Sequence, residues 1–490
     1  MAANQVAQDI LRVFNPATGT AVGELRRSSR AQTEQALATA RRAQSHWKRV
    51  PRHRRYEIMV RFSQLVMDQA EELAQLLCAE SGKTLQQTRA EISVCARLFR
   101  GFAERMLALK EDAHFLDSQA GLERDLMITR REPLGVVVAI IPFNFPAELF
   151  GHKVAPAIAM GNSVVVKPPE DDPLTVLRLA SLLTEAGLPA GVVEVAAGGG
   201  EVGAWLVESD IPAGVSLTGS TQTGLRVAAS AAKTLKRVSL ELGSNDPLIV
   251  LEDADLELAV DQAVQGRQEA NGQCCCANKR LIVHRSVARE FTDLLTSRFG
   301  ALELGDPAED RTQLGPLIHA KAASRVGEQV RATVDAGARI TTGGTRPDRA
   351  FYEPTVLVDV TPEMEIARNM EVFGPVLPVL EFGDDEEAVA IANASSYGLS
   401  GAVFSRDFRR AFSLGAELDT GQVVINRTGL FRPDLAGFGG HKLSGNGREG
   451  LETSLEEFAQ HKNFSLRGAL DWAEGIRPQD EREVRHDAAS

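Results

Sequence analysis

Three adjacent cysteines, Cys274, Cys275 and Cys276 in NGQCCCANKR, are the side chains of this sequence best suited to covalent chemistry. Neighbouring side chains point in divergent directions, so the triplet is not expected to face one metal ion. The separated Cys and His spacings of zinc sites are also missing, and no metal is expected. A disulfide between neighbours would be strained. Two readings remain open on the triplet alone. Free cysteines pack as small buried hydrophobes, or one of them is a nucleophile whose thiolate a helix terminus or nearby cation favours.

Other segments carry groups that could serve such a nucleophile. Glu241 closes the apolar run of LELGSND, where partial burial would raise a carboxyl toward the range of a general base. Asn144 in IPFNFP is flanked by prolines that restrict the backbone, which suits a fixed amide donor to a developing oxyanion. SLTGSTQTG runs from a strand through a tight turn at Gly219 and Ser220 into a helix containing Gly224, and a helix start can hold a phosphate. It is neither the GxGxxG fingerprint nor a P-loop. VVVKPPED places Lys167 and Glu170 at a strand end, where an open parallel sheet presents its ligand crevice. Each of these residues, taken singly, also fits a structural or solvated role.

The elements that must position them follow from periodicity. RRYEIMVRFSQLVMDQAEELAQLLCAESG and AEISVCARLFRGFAERMLAL have helical spacing, the first stopping at Gly82, so the first third reads as helices. From Gly135 short β-branched runs alternate with helical ones: 135–141, 162–168, 191–197, 214–219 and 236–242, then 246–251 and 280–284. That alternation predicts parallel sheets with helices on both faces. Asp253 or Asp255 is expected to cap the helix after the strand 246–251.

At 490 residues two large domains are expected. Hydrophobic residues make up 43% and charged residues 24%, ordinary for a globular chain. A formal charge of −12 without basic runs argues against a nucleic-acid partner. No apolar run approaches the ~20 residues of a membrane span, and the start lacks a secretory pattern. Five cysteines are no disulfide framework, so a reducing compartment, the cytoplasm, is expected.

In their order along the chain, IPFNFP, VVVKPPE, LTGSTQTG, LELGSNDP, NGQCCCA, EVFGPV and FGGHKLSGNGREG resemble the aldehyde dehydrogenase superfamily, and the likeness extends from FNPATG at 14–19 to residue 450. The 34 residues from Glu241 to Cys275 also look like the family's. The resemblance implies two doubly wound α/β domains with a small oligomerisation extension. Residues 1–243 would bind the dinucleotide, with an oligomerisation segment at about 115–134, and 244–445 would carry catalysis. Residues 446–470 would complete the extension, and 471–490 would form a mobile tail.

The resemblance also implies roles: Cys275 as nucleophile, Glu241 as base for the hydrolytic water, and Asn144 as oxyanion donor. Lys167 and Glu170 would meet the adenosine ribose, and Gly219, Ser220 and Gly224 the pyrophosphate turn. Glu371 would hold the nicotinamide ribose and Phe373 would pack by the nicotinamide, and Ile141, Phe143 and Leu242 would also contact the cofactor. NAD is the expected cofactor, NADP being possible, because a carboxylate at 170 would repel a 2′-phosphate. The implied partners are a small polar aldehyde and further copies of the chain, as dimer or tetramer.

Two positions depart from the pattern: Phe143 stands where many relatives have Trp, and Ser244 replaces a second Gly, a change expected to perturb the turn near the cofactor. His152, Arg100, Arg427 and Arg432 are candidates for the substrate mouth. Converging arginines would favour an anionic aldehyde, and a hydroxyaldehyde is the other candidate. A CoA-acylating enzyme is disfavoured by the presence of Glu241. A non-catalytic descendant is disfavoured because Cys275, Glu241 and Asn144 all remain. Reversible oxidation of the triplet is compatible with catalysis.

Overall fold

The computed structural model describes residues 10–345 and 348–471. Two parallel sheets dominate it. The first has five strands in the order Val193–Val195, Ser163–Lys167, Val136–Ile140, Gly214–Thr218, Arg237–Glu241, every neighbouring pair parallel. The earliest of these five strands in the chain lies in the middle, so the order reverses between Val136–Ile140 and Gly214–Thr218. Crevices at such a reversal, beyond the carboxyl ends of the strands, are where open α/β sheets bind ligands. Both strands are wholly buried, as continuous apolar runs covered by helices on two faces must be.

The second sheet has seven strands. Its centre is Arg280–His284 beside Pro247–Val250, continued by Ser400–Phe404 and Gln422–Ile425 on one side and Val376–Phe382 and Thr355–Val358 on the other. Arg339–Thr342 closes that second side as an antiparallel edge. Glu241 ends the last strand of the first sheet and Pro247 begins the second, so five residues link the two layers.

The strands at 135–141, 162–168, 191–197, 214–219, 236–242, 246–251 and 280–284 all form, each shorter by a residue or more at one or both ends except the last. Gly82 is a left-handed cap, φ +76°, as its place at the end of the apolar repeat requires. Asp255 caps Leu256–Gln268 by accepting from Leu258 N. Asp253 instead accepts from the amides of Arg406 and Asp407.

The first third is not all helical. A hairpin, Ile10–Phe14 with Ala21–Arg26, comes first, and FNPATG is its turn, with Asn15 Oδ1 accepting from Ala17 N and Thr18 N. The long repeat ending at Gly82 is broken at Gln69 into helices Arg52–Asp68 and Ala70–Ser81, a break that periodicity does not register. A third, antiparallel sheet pairs Ala459–Leu466 with Leu126–Pro133 along its whole length and adds Asp112–Phe115. It stands outside the main body, seven of the eight residues of Ala459–Leu466 being exposed. The terminal tail beyond residue 471 lies outside the described residues. Among the described residues no helix is long and apolar enough to cross a membrane.

Helices Arg52–Asp68 and Leu85–Ala108 pack on Pro146–Ala159 through Phe62, Phe99 and Phe150, all fully buried. Trp47 joins this core and its Nε1 donates to Ile158 O at 3.0 Å. Trp47→Phe keeps an aromatic ring but removes this bond, leaving Gly161 N as the donor to Ile158 O, and a loss of about 0.5–1.5 kcal/mol is expected in denaturant melts.

Candidate active site

Cys275 lies in the segment that follows a distorted turn, Glu269–Gly272. Ala270, Asn271 and Gly272 all have positive φ, 49°, 57° and 78°. Two non-glycine residues in the left-handed region are costly and persist only where surrounding contacts dictate them. Asn271 supplies such contacts, donating to Gly82 O and Pro316 O and accepting from Gly315 N. Gly272 is required by space as well as by φ, because a Cβ there would lie 2.3 Å from the Gly374 carbonyl carbon.

The curled loop overturns the expectation that adjacent cysteines diverge: the three sulfurs lie within 4.8 Å of one another. Cys274 and Cys276 are buried and their sulfurs are 3.5 Å apart, while Cys275 is the partly exposed member. The thiols compete for one negative charge. Hydrogen bonds favour the thiolate on Cys274, and the Cys275 thiol, beside Cys274, is pushed up to about 12.

Beneath this loop sits Lys279, which the sequence did not single out. Its buried ammonium donates to Cys274 O at 3.0 Å, to Cys275 O, and to Ser244 Oγ at 2.9 Å, with Glu371 at 3.5 Å. Ser244, expected only to perturb a turn, is fully buried and donates to Cys275 O. It is a tether on the cysteine loop.

Glu241 approaches from the end of its strand. The C-terminal segment locks that strand end: Leu242 N donates to Ser444 O, Leu240 N to Asn446 Oδ1, and Glu241 bridges to Gly445. The Glu241 carboxyl is buried and neither oxygen has a hydrogen-bond partner among the described residues. Burial, then the Glu449 charge, pushes its pKa well above the usual carboxyl range, against the pull of Lys153 and Arg432; Cys275 is also close enough to raise it.

Lys153 and Glu449 are further functional candidates that sequence reasoning missed. Lys153 Nζ donates to Glu449 Oε1 at 2.8 Å and to Ser216 Oγ at 3.1 Å. Burial alone would raise Glu449, but Lys153 and Arg432 hold it below the carboxylate range. A lysine within an otherwise apolar helix, KVAPAIA, and a Glu in the glycine-rich GREG were the available signals.

Asn144 is set by a buried ion pair. Lys83, paired with Glu91, donates to Asn144 O at 2.8 Å, and Glu91 accepts from the amides of Ala147 and Glu148 at the start of the next helix. Asn144 Oδ1 accepts from Phe145 N at 3.1 Å, which leaves its amide as the donor end.

Of the residues expected at a dinucleotide, Ile141, Lys167, Gly219 and Leu242 stand at the carboxyl ends of strands of the first sheet, Gly224 lies in the helix Thr221–Ala232, and Glu371 and Phe373 precede the strand Val376–Phe382. Ile141 is buried in the core behind the turn. Leu242 packs against Gly224, where a Cβ would approach it to 2.5 Å. A Cβ on Gly219 would meet only Leu217, at 3.7 Å, so the turn is open above the strand. Ser220 caps Thr221–Ala232 by accepting from Thr223 N. Glu371 accepts from Ser244 N at 3.0 Å, and Phe373 meets Phe143 edge-on with centroids 6.0 Å apart. Lys167 donates to Pro168 O, and Glu170 is held by Arg27 at 2.8 Å.

A cavity of about 190 Å³ adjoins Leu430, which packs on the cysteine cluster; Arg97, Glu148, His152, Arg432 and Glu449 also line it. His152 is kept neutral by burial and then by Arg432. Arg432 donates to Glu449 Oε2 at 2.8 Å and lies 3.7 Å from Glu148. The four expected residues do not converge. Arg100 pairs with Glu104 on the helix surface, and Arg427 lies over the Phe431 ring, neither lining the cavity, whereas Arg97 does.

The model of the aldehyde dehydrogenase family matches residues 3–464. The chain belongs to this family. The glutarate-semialdehyde dehydrogenase of Pseudomonas putida is 37% identical over 458 residues, 93% of this chain and 94% of that protein. Among solved structures, a glyceraldehyde-3-phosphate dehydrogenase from Methanocaldococcus jannaschii complexed with NADP has a TM-score of 0.89 at 34% identity, covering 93% of this chain and 99% of that one. A betaine aldehyde dehydrogenase from Staphylococcus aureus in complex with NAD+ has a TM-score of 0.91 at 32% identity, covering 94% and 92%. The enzyme is an aldehyde dehydrogenase.

Alkylation of Cys275 by iodoacetamide is expected to accelerate with pH without levelling off below about pH 10, as a raised thiol pKa requires. Cys274→Ala removes the largest cause and should move the profile to lower pH. Mass-spectrometric quantification of the labelled peptide checks both.

Proposed function

We propose that this aldehyde dehydrogenase oxidises a small polar aldehyde to its acid with NAD(P), using Cys275 as nucleophile and water as acyl acceptor. The observation that carries the reading is the juxtaposition of partly exposed Cys275 with buried, unpartnered Glu241. The dinucleotide, when bound, supplies the hydride acceptor. The open turn at Gly219, the first amides of Thr221–Ala232 and the Glu371 carboxylate fit its pyrophosphate and ribose.

Cys275, partly exposed, passes its thiol proton to solvent water and attacks the aldehyde carbon as the thiolate, and the carbonyl oxygen becomes an oxyanion. The Asn144 amide and the Cys275 N–H are the donors assigned to that charge. Loss of hydride and return of the oxyanion lone pair leave a thioester on Cys275. Glu241 then takes a proton from water, whose oxygen attacks the thioester; the acid departs and sulfur leaves as thiolate. Lys153 and Glu449, electrostatically coupled to Glu241, are positioning residues that tune its proton affinity.

The mouth favours a neutral hydroxyaldehyde over an anionic one. Its arginine is already compensated by Glu449 and Glu148, and Arg97 by Asp434. His152 and the carboxylates offer hydrogen bonds to hydroxyl groups. For the cofactor, Glu170 and Glu201 surround the adenosine end, answered by Arg27 and Lys167. The balance lacks the net positive charge that a 2′-phosphate needs, so NAD is favoured. The exposed three-stranded sheet, with Ala459–Leu466 at its edge, is assigned to assembly into a dimer or tetramer. The five free cysteines accord with a cytoplasmic enzyme.

Glu241→Gln should lose about 10²–10⁴-fold in steady-state turnover yet retain a burst of reduced cofactor of one equivalent per active site. Loss of the burst as well would remove Glu241 from the hydrolytic step, and turnover restored only by CoA would replace water as acceptor. Folding raises the Glu241 pKa, so the neutral carboxyl's contribution to stability is present at low pH and fades as pH climbs from the ordinary carboxyl range toward the raised value. The stability advantage of Glu241→Gln over the parent should therefore grow with pH, measured by denaturant melts.

Glu170→Ser removes the closer of the two carboxylates on Arg27, leaving Glu201 at 3.5 Å, and should raise the ratio of kcat/KM for NADP to that for NAD about tenfold or more. An unchanged ratio would take Glu170 out of cofactor selection.

A further inference from the structure

A second cavity, about 380 Å³, lies at the root of the three-stranded sheet, where Leu126–Pro133 passes through Gly135 into the first parallel sheet. It is lined by Lys48, Arg49, Arg52 and Arg55, by residues 130–135, and by Met160 and Gln460 among others, none of which belongs to the active site. Its charge is one-sided. Lys48, Arg49, Arg52, Arg55, Arg130 and Arg131 face two acids, Glu111 and Glu132.

Both acids are already engaged. Glu111 pairs with Arg52 and accepts from Arg131 N at 3.0 Å. Glu132 reaches Lys462 at 3.7 Å. The Arg131 side chain is taken up by Glu456 and by Lys110 O. Four cations are left without an ion pair among the described residues: Lys48, Arg49, Arg55 and Arg130.

Arg55 is the decisive one. It is only 8% exposed, and its Nε and one terminal nitrogen have no hydrogen-bond partner among the described residues. A buried guanidinium with empty donors is costly and calls for a partner. No acid offsets the cost: burial, followed by the like charge of Arg52, lowers its pKa to about 10. Gly161 lets the backbone pack close against it, since a Cβ there would stand 2.8 Å from the guanidinium.

The helix that carries Arg55 adds a second, independent pull. Arg52–Asp68 begins at this cavity, its first turn has no acid, and Pro51 provides no side-chain acceptor; the Pro51 carbonyl takes the Arg54 and Arg55 amides, which leaves those of Arg52 and His53 without a partner among the described residues. A helix start loaded with Arg52, His53, Arg54 and Arg55 runs against the usual preference for negative charge at that end. An anion would satisfy the amides and the guanidinium together.

We propose that this cavity is a binding site for a phosphoryl oxyanion, free or as the phosphate of a small ester, with Arg55 as its buried ligand and Arg49, Lys48 and Arg130 around its rim. The site is separate from the dinucleotide turn, so its ligand is an additional molecule and not the cofactor.

The test is calorimetric titration of the full-length enzyme, saturated with NAD to fill the dinucleotide turn, at ionic strength held constant with KCl. Inorganic phosphate and glycerol 3-phosphate are the two probes. One saturable site per chain is expected for at least one probe, weakened tenfold or more by Arg55→Lys, which keeps the charge but loses the fork. Tighter binding of the free ion or of the ester identifies the source. Arg49→Ala, at an exposed position, should weaken binding severalfold without lowering the melting temperature, and it serves where Arg55→Lys fails to fold.

Heats that track ionic strength alone for both probes, or affinities unchanged in both variants, would overturn the proposal. So would light scattering in which Arg55→Lys dissociates the assembly while the parent binds neither probe. The cavity would then be a socket for a carboxylate of a second copy.

Discussion

A carboxyl without a hydrogen-bond partner among the described residues, Glu241, buried between the end of a parallel strand and a glycine-rich C-terminal segment, is the constraint around which this enzyme is arranged. Removing such a group from water favours its neutral form, and the penalty must be met by surroundings that are themselves fixed. Glycines make that fixation possible. A Cβ on Gly447 would lie 2.6 Å from a Glu241 oxygen, and one on Gly445 would collide with the Leu240 carbonyl. The FGGHKLSGNGREG segment is therefore glycine-rich because a backbone must run against another backbone there.

Buried charge is the recurring device by which the site is built. Lys83 with Glu91 holds the Asn144 turn, Lys153 with Glu449 and Arg432 surrounds Glu241, and Lys279 gathers the carbonyls of the cysteine loop. Buried ion pairs are poor sources of net stability, since desolvation offsets most of their attraction. Their value here is positional. Each holds a loop whose backbone no regular element supports. The cysteine loop depends on this most, with its two strained left-handed residues and the Ser244 tether.

Much of the fold was legible in local pattern. Continuous β-branched runs marked the buried parallel strands, and Gly82 marked a helix end, because both signals come from residues near in sequence. The hairpin at Ile10–Arg26 and the break at Gln69 were not legible: short alternating strands carry little periodic signal, and a one-residue interruption leaves the apolar repeat nearly in phase. At the site, Glu241, Cys275 and Asn144 stood out by motif. Lys153, Glu449 and Lys279 did not, since a lone charged residue in a helix or loop says nothing about which carboxylate or carbonyl will face it.

The sequence by itself determined the α/β alternation, the family and the reactive residue types, because these rest on local spacing and on motifs in order. Tertiary structure alone decided which charges meet. Arg432 was expected to be free for substrate, yet Glu449, seventeen residues on, and Glu148, from another layer, already neutralise it. Three adjacent cysteines were expected to diverge, yet contacts from Gly82, Gly315 and Gly374 curl their loop until the sulfurs converge. Electrostatic pairing and backbone strain depend on groups distant in the chain, and no local pattern encodes their distance.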